Sequence, residues 1–433
     1  MAGVLSSSSS HGNAMKSNPN LGHTRSLNDF LPNELISLTF EYLFYDSEEE
    51  FELGEPTPID TLLLVCKRWY NIALTNTLLW SRIEIFVKDV LEIDSWTSYA
   101  ASRIRRSGSS QLLDVTFETA WNLGFPKDKV AHYAAAEVLL QTLSGPYGET
   151  STRWKSVTVN VTRGFAMADS ISKLLSFPTP HLEALSVSGF YDVSGPITLP
   201  NPPSLRLLNL TFCRLNRFPN TRAVTHMELA TDDITFWDVG AIAEAGLLQS
   251  LSLDCWHEYA LLPARYPFLR SLHLRGRVGS RSIIDISAPN LEELTLQVDD
   301  SEGYSNVIQC PGLDLRRLRY AHIGWPHRID NASIELYLQP VREFLNLATG
   351  LRTLELEHRP MATLVFKLLT THCRHLFQEH TLILQLDEEA VELGHGEKRL
   401  ESLDDLRVRA ECEPLGDATW EDIYRELASC LEF

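Results

Sequence analysis

The sequence predicts a two-part α/β chain: a small helical unit near the N-terminus, then a long run of strand-bearing repeats. Three observations carry that expectation. Residues 31–80 hold helix-spaced apolar residues on more sides than a single buried face requires. Over residues 182–315 the pattern Leu-x-x-Leu-x-Leu returns every 19 to 24 residues. Hydrophobic residues make up 44% of the 433 and charged ones 22%, enough to build packed cores over most of two or three domains.

Residues 1–26 are rich in Ser, Asn and Gly and poor in apolar side chains. Burial there cannot offset ordering entropy, so the tail is expected to be disordered. Its opening lacks the basic-then-apolar layout of a secretory signal. No run of about 18 apolar residues occurs, so no membrane span is expected. With 57 acidic against 38 basic side chains the net charge is −19. Such a surface repels phosphate backbones, which disfavours nucleic acid and anionic membranes as partners. The chain reads as soluble and intracellular, cytoplasmic or nuclear. Its seven cysteines (Cys66, Cys213, Cys255, Cys310, Cys373, Cys412 and Cys430) form no Cys-x-x-Cys pair and read as small apolar core residues.

The first helix is expected to open at Pro32, which suits the first helical position, with Asp29 just ahead where an acid suits the helix dipole. Ile36, Phe40 and Leu43 make one apolar stripe, and Leu35, Leu38 and Tyr42 make a second beside it. Another helix is expected from Thr57-Pro58, a cap followed by proline. Its ideal apolar face is Leu62, Val65, Cys66, Trp69, Ile72 and Ala73. Leu63 and Leu64 are apolar off that face, and Leu78, Leu79 and Trp80 follow at once. Roughly 50 residues of short helices lie near the lower size limit for a stable domain. The surplus apolar surface must therefore be covered, by the rest of the chain or by a partner.

Leu31-Pro32-Asn33-Glu34-Leu35-Ile36, then Phe40 and Leu43, then Leu64-Val65-Cys66-Lys67-Arg68-Trp69-Tyr70-Asn71-Ile72-Ala73, then Leu79-Trp80, together resemble an F-box. The resemblance implies docking on a Skp-type adaptor, which in turn joins a cullin–RING ubiquitin ligase. It assigns Leu31, Pro32, Leu35, Ile36, Phe40, Leu64, Val65, Cys66, Trp69 and Trp80 as adaptor-binding or supporting residues. Docking of a helix in a groove also accounts for the second apolar stripe. The segment 44–55 departs from the plain pattern as an insertion carrying Asp46, Glu48, Glu49, Glu50, Glu52 and Glu55. It reads as a solvated loop, with electrostatic tuning of the adaptor contact as the alternative.

The repeat pattern is clearest at Leu182-Leu185-Val187, Leu205-Leu208-Leu210, Leu248-Leu251-Leu253, Leu269-Leu272-Leu274, Leu291-Leu294-Leu296 and Leu351-Leu354-Leu356. Weaker copies are Val224-Met227-Leu229 and Leu315-Leu318-Tyr320. The spacing falls in the roughly 20–29 residue period of leucine-rich repeats. Proline two residues ahead of the first Leu, at 180, 203, 267 and 289, fixes the register by forcing an extended approach to the strand. Earlier strands are expected around Leu112–Phe117 and Trp154–Val159, with a helix over 130–143 between them. An insertion or an extra helix, over about 334–347, interrupts the rhythm before Leu351. A last repeat is expected near Leu400–Val408, and a helix over 420–431 would cap the array. The ninth position of each unit departs from the usual Asn or Cys except at Cys213. The whole thus resembles an F-box protein with an irregular leucine-rich repeat solenoid, an α/β horseshoe. Its expected domains are a tail over 1–26, the F-box over 27–85, and the solenoid with its cap over 86–433.

In such strands the leucines point inward and the intervening residues line an open face. Asn209, Asp254, His273, Arg275, Gln297, Arg319 and Glu355 are the target-binding candidates on that face, with Ser186, Glu228 and Ser252 beside them. Chemistry is sparse. His372, Cys373, His375 and His380 form the densest titratable cluster but lack paired ligand spacing, so no metal is expected. No Gly-x-Ser-x-Gly, P-loop or Gly-x-Gly-x-x-Gly occurs, and His257-Glu258-Tyr259-Ala260 does not complete a His-Glu-x-x-His site. The final Cys430-Leu431-Glu432-Phe433 has the outline of a prenylation box, with an acid where an aliphatic residue is wanted. The acidic total gives no reason to expect a phosphate-binding face, although Arg275, Arg277 and Arg281 would make a local one. The expected function is a non-catalytic, cofactor-free substrate receptor that joins a target protein to the ligase. The alternative is a repeat scaffold tethered to the adaptor with no ligase role.

Overall fold

The computed structural model describes residues 30–45, 58–119, 129–161, 168–189, 197–199, 201–213, 215–231, 242–255, 264–276, 286–298, 307–308, 310–324, 334–356 and 383–386. The predicted tail, most of the acidic insertion, the His372–His380 cluster, the final repeat, the capping helix and the C-terminal four residues lie outside them. Two compact units divide the described residues between Leu79 and Trp80.

The first unit holds three helices, α1 (Asn33–Tyr45), α2 (Pro58–Val65) and α3 (Lys67–Thr75). Helix α1 starts one residue later than expected: the Pro32 carbonyl accepts the Ile36 N–H at 3.2 Å, so proline stands just before the helix as its cap. Its buried stripe is Ile36, Phe40 and Phe44, at spacings of four. Leu43 lies on the exposed side, a correction to the expected stripe. The expected continuous second helix is broken at Cys66. That residue adopts an extended conformation (φ −162°, ψ 165°), and its Sγ accepts the Trp69 N–H at 3.5 Å, so it caps α3. Cys66 is consequently exposed, against its expected core role, whereas Cys213 and Cys310 are buried.

The second unit is built on a twelve-stranded sheet whose spatial order follows the chain. Its strands are β1 (Arg82–Val87), β2 (Leu113–Thr119), β3 (Trp154–Val161), β4 (Ala184–Ser188), β5 (Leu207–Thr211), β6 (His226–Thr231), β7 (Ser250–Cys255), β8 (Ser271–Gly276), β9 (Glu293–Val298), β10 (Tyr320–Gly324), β11 (Thr353–Leu356) and β12 (Ile383–Leu386). Every neighbouring pair is parallel. Burial alternates along strands such as β1, β2 and β4, so one face there is core and the other is polar. The pattern leucines stack in register, Leu185 beside Leu208, Met227, Leu251, Leu272 and Leu294. The first leucine of each copy is wholly inaccessible, from Leu182 to Leu351. Helices α4 (Ile93–Arg106), α5 (Lys129–Ser144), α6 (Ala168–Leu175) and α7 (Ile334–Leu347) add Ile93, Trp96, Leu139, Leu143, Ile171, Leu175, Phe344 and Leu345 to the same core.

The same turn introduces most units. The first-position N–H bonds the carbonyl three residues back, as in Leu182 to Thr179, Leu269 to Tyr266 and Leu291 to Ala288. Pro180, Pro267 and Pro289 occupy the second position of those turns, where proline's fixed φ is pre-set. This signature corrects one copy. Leu318 N–H bonds the Leu315 carbonyl, so Leu318 is a first position, and the inward residues of β10 are Ala321 and Ile323, paired with Leu294 and Leu296. Leu315 instead opens a short 3₁₀ turn, Leu315–Arg317, capped by the Asp314 carboxylate. Arg319 therefore precedes the strand and does not stand on its polar face.

Candidate functional site

Helix α1 is held to α3 by two polar clamps. Arg68 donates to the Asn33 Oδ1 at 2.9 and 2.7 Å and to the Leu31 carbonyl. Asn76 Nδ2 donates to Ser37 Oγ at 2.7 Å and Glu41 Oε1 at 2.8 Å, while its Oδ1 accepts the Leu78 N–H at 3.1 Å. Between them Trp69 meets Phe40 edge to face, ring centroids 5.0 Å apart. Apolar side chains are left outside this interior. Leu35, Leu38 and Tyr42 on α1 are 50%, 60% and 69% exposed, and Leu64 at the end of α2 is 84% exposed. Phe30, Leu43, Val65 and Tyr70 are exposed as well.

The ten predicted adaptor-binding residues divide by this geometry. Pro32, Leu35, Leu64, Val65 and Cys66 are exposed, and Leu31 and Trp69 are part-buried. Ile36 and Phe40 are core residues, able to support the surface but not to touch a partner. Trp80 is buried in the second unit, its ring facing the Arg103 and Arg106 guanidiniums at 5.2 and 4.4 Å. Leu38 and Tyr42 belong to the exposed set although the motif does not name them. Their signal was the second apolar stripe.

On the second unit, Ser186, Asn209, Glu228, Ser252, His273, Thr295 and His322 form one row across the polar face. Asn209 Nδ2 donates to Glu228 Oε2 at 2.8 Å and its Oδ1 accepts the Thr211 hydroxyl at 3.0 Å. His273 Nε2 lies 2.8 Å from Ser271 Oγ. Burial lowers the His273 pKa, with Glu293 raising it, His322 lowering it and Glu228 raising it. A depression of about 510 Å³ opens here, and Asn209, Glu228, His226, His273 and the half-exposed Leu207 are among the residues that line it. Of the predicted target-binding residues it brings together Asn209 and His273. Asp254 and Arg275 face each other at 3.9 Å, and Gln297 pairs in register with Arg275. Glu355 pairs in register with His322, and Arg319 lies off the face. Leu207 and His226 escaped the motif because they fill the strand position ahead of the inward leucine.

Among the described residues no three His, Cys, Asp or Glu side chains gather as a metal site, and no helix is long and apolar enough to cross a membrane. Arg277 and Arg281, the partners proposed for Arg275, lie outside the described residues. Compared with known families, residues 29–85 match the F-box-like family model. A search of curated proteins finds none that matches the chain.

Proposed function

We propose that the chain is a non-catalytic substrate receptor of a cullin–RING ubiquitin ligase. In this reading residues 29–85 dock a Skp-type adaptor, and the sheet-bearing unit works as an irregular leucine-rich repeat solenoid that recruits a target protein. The observation that carries the reading is the exposed stripe of Leu35, Leu38 and Tyr42, with Leu64 and Val65, inside the segment that matches the F-box-like family. Burying a leucine-sized side chain contributes roughly 1.5–3 kcal/mol, so several together suffice to hold a partner. The in-register leucines and the recurring turn support the repeat reading. Ubiquitin transfer is left to other subunits, in the cytoplasm or nucleus. This chain's part is proximity, raising the local concentration of target lysines near the charged carrier.

Co-expression with a Skp-type adaptor and a cullin–RING pair, followed by size exclusion and a ubiquitin-transfer assay, tests the proposal. All components should co-elute, and ubiquitin should build up on the chain itself or on a bound protein only when the chain is present. Failure to co-elute would remove the adaptor role. Co-elution with no chain-dependent transfer would remove the ligase role.

A further inference from the structure

A second cavity, of about 360 Å³, is lined by Arg316, Arg317, Arg319 and Arg352 with Asn290, Glu292 and Gly350. Four guanidiniums around one cavity stand out in a chain of net charge −19. Arg317 is already engaged, its Nη1 donating to Asn290 Oδ1 at 2.7 Å and its Nε 3.6 Å from Asp314. Arg316, Arg319 and Arg352 are exposed, and no side-chain hydrogen bond or ion pair joins them to a described residue. Among the described residues Glu292 is the one carboxylate on the wall.

The backbone builds this arrangement. Arg352 N–H donates to the Arg319 carbonyl at 2.8 Å, which places the two residues side by side just ahead of β11 and β10. Gly350 lets the turn before β11 lie against the 3₁₀ turn that carries Arg316. A Cβ at position 350 would sit 2.5 Å from the Arg316 carbonyl oxygen and 3.3 Å from that of Leu318. Glycine is required there for close approach, and that approach puts Arg352 and Arg316 on one cavity.

We propose that Arg316, Arg319 and Arg352 form a binding site for a phosphate group. Each planar fork pairs with two acceptor oxygens, so three forks on one cavity suit a dianion with three or more oxygens better than a single carboxylate. The volume lies within the roughly 300–1,000 Å³ of small-ligand clefts, which leaves room for the group that carries the phosphate. The phosphate arrives on a phosphorylated protein segment or on a free small molecule. The chemistry of the site is the same for both.

Calorimetric titration of the full chain tests the site, with inorganic pyrophosphate as the free probe and a Gly/Ala-flanked phosphoserine peptide, beside its unphosphorylated twin, as the carried one. Arg316→Gln/Arg352→Gln should weaken binding at least tenfold. Arg105→Gln/Arg206→Gln, exposed arginines away from the cavity with the same loss of charge, should bind as the parent does. Binding of both probes supports the site. Binding of only the phosphopeptide or only pyrophosphate supports it too and identifies the source. The proposal is overturned if neither probe binds, if the serine twin binds equally, or if the cavity variant binds as well as the control. The titration reads ligand binding alone, so its failure leaves the adaptor reading standing.

Discussion

Phe40 is inaccessible and meets the Trp69 ring, so Phe40→Ala should cost about 3–5 kcal/mol and unfold the first unit in a thermal melt. Leu38→Asp, on the opposite side of the same helix, should change stability by no more than about 0.5 kcal/mol, because its side chain already faces solvent. Asn76→Ala removes three hydrogen bonds and leaves Ser37 and Glu41 without this donor. A loss of about 1–3 kcal/mol, seen as faster hydrogen exchange in α1, is expected. His273 gives a pH test. Its pKa is lower folded than unfolded, so the unfolded chain binds more protons below the ordinary histidine value of about 6.5. Stability is then full above that value and is lost as pH falls through it. His273→Gln should flatten the fall of the unfolding midpoint on acidification below about pH 6.5, and an unchanged profile would remove the assignment.

At the scale of elements, periodicity revealed most of the architecture. The helix expected over 334–347 is α7, and the strand pattern marks β4 to β9 because leucine, methionine or valine fills the two pattern places of each. It failed at β10, where Ala321 takes a leucine's place and a search for large residues slides to Leu315 and Leu318. Ala321→Asp tests the corrected register. Burying an unpaired carboxylate should unfold the sheet locally and lower the midpoint sharply, whereas Arg319→Ala should be nearly silent. Were Ala321 on the open face, both would be silent. The break between α2 and α3 was equally hidden, because the apolar spacing runs unbroken through Cys66 while the backbone there is extended. Helix α4, with Ile93, Trp96 and Ala100 buried, carries its signal in only a few apolar positions among polar ones.

For the molecule as a whole, net charge does not report where basic side chains gather. The total of −19 gives no reason to expect phosphate ligands, yet the folded chain gathers three arginines from positions 316–352 that have no side-chain partner among the described residues, a set which no composition or short motif would join. The proposed adaptor surface was more legible, since its residues are close in sequence and its surplus apolar stripe stays exposed. Trp80 shows the limit: it ends the motif but is buried in the second unit. The most direct test is the affinity of a purified Skp-type adaptor for the wild-type chain and for Leu38→Asp/Leu64→Asp, with the melts of both compared. Tight binding by the wild type and a loss of more than about a hundredfold in an equally stable variant, equivalent to roughly 2.7 kcal/mol, is the expected result. Equal affinity in the two chains, or no binding by either, would contradict it.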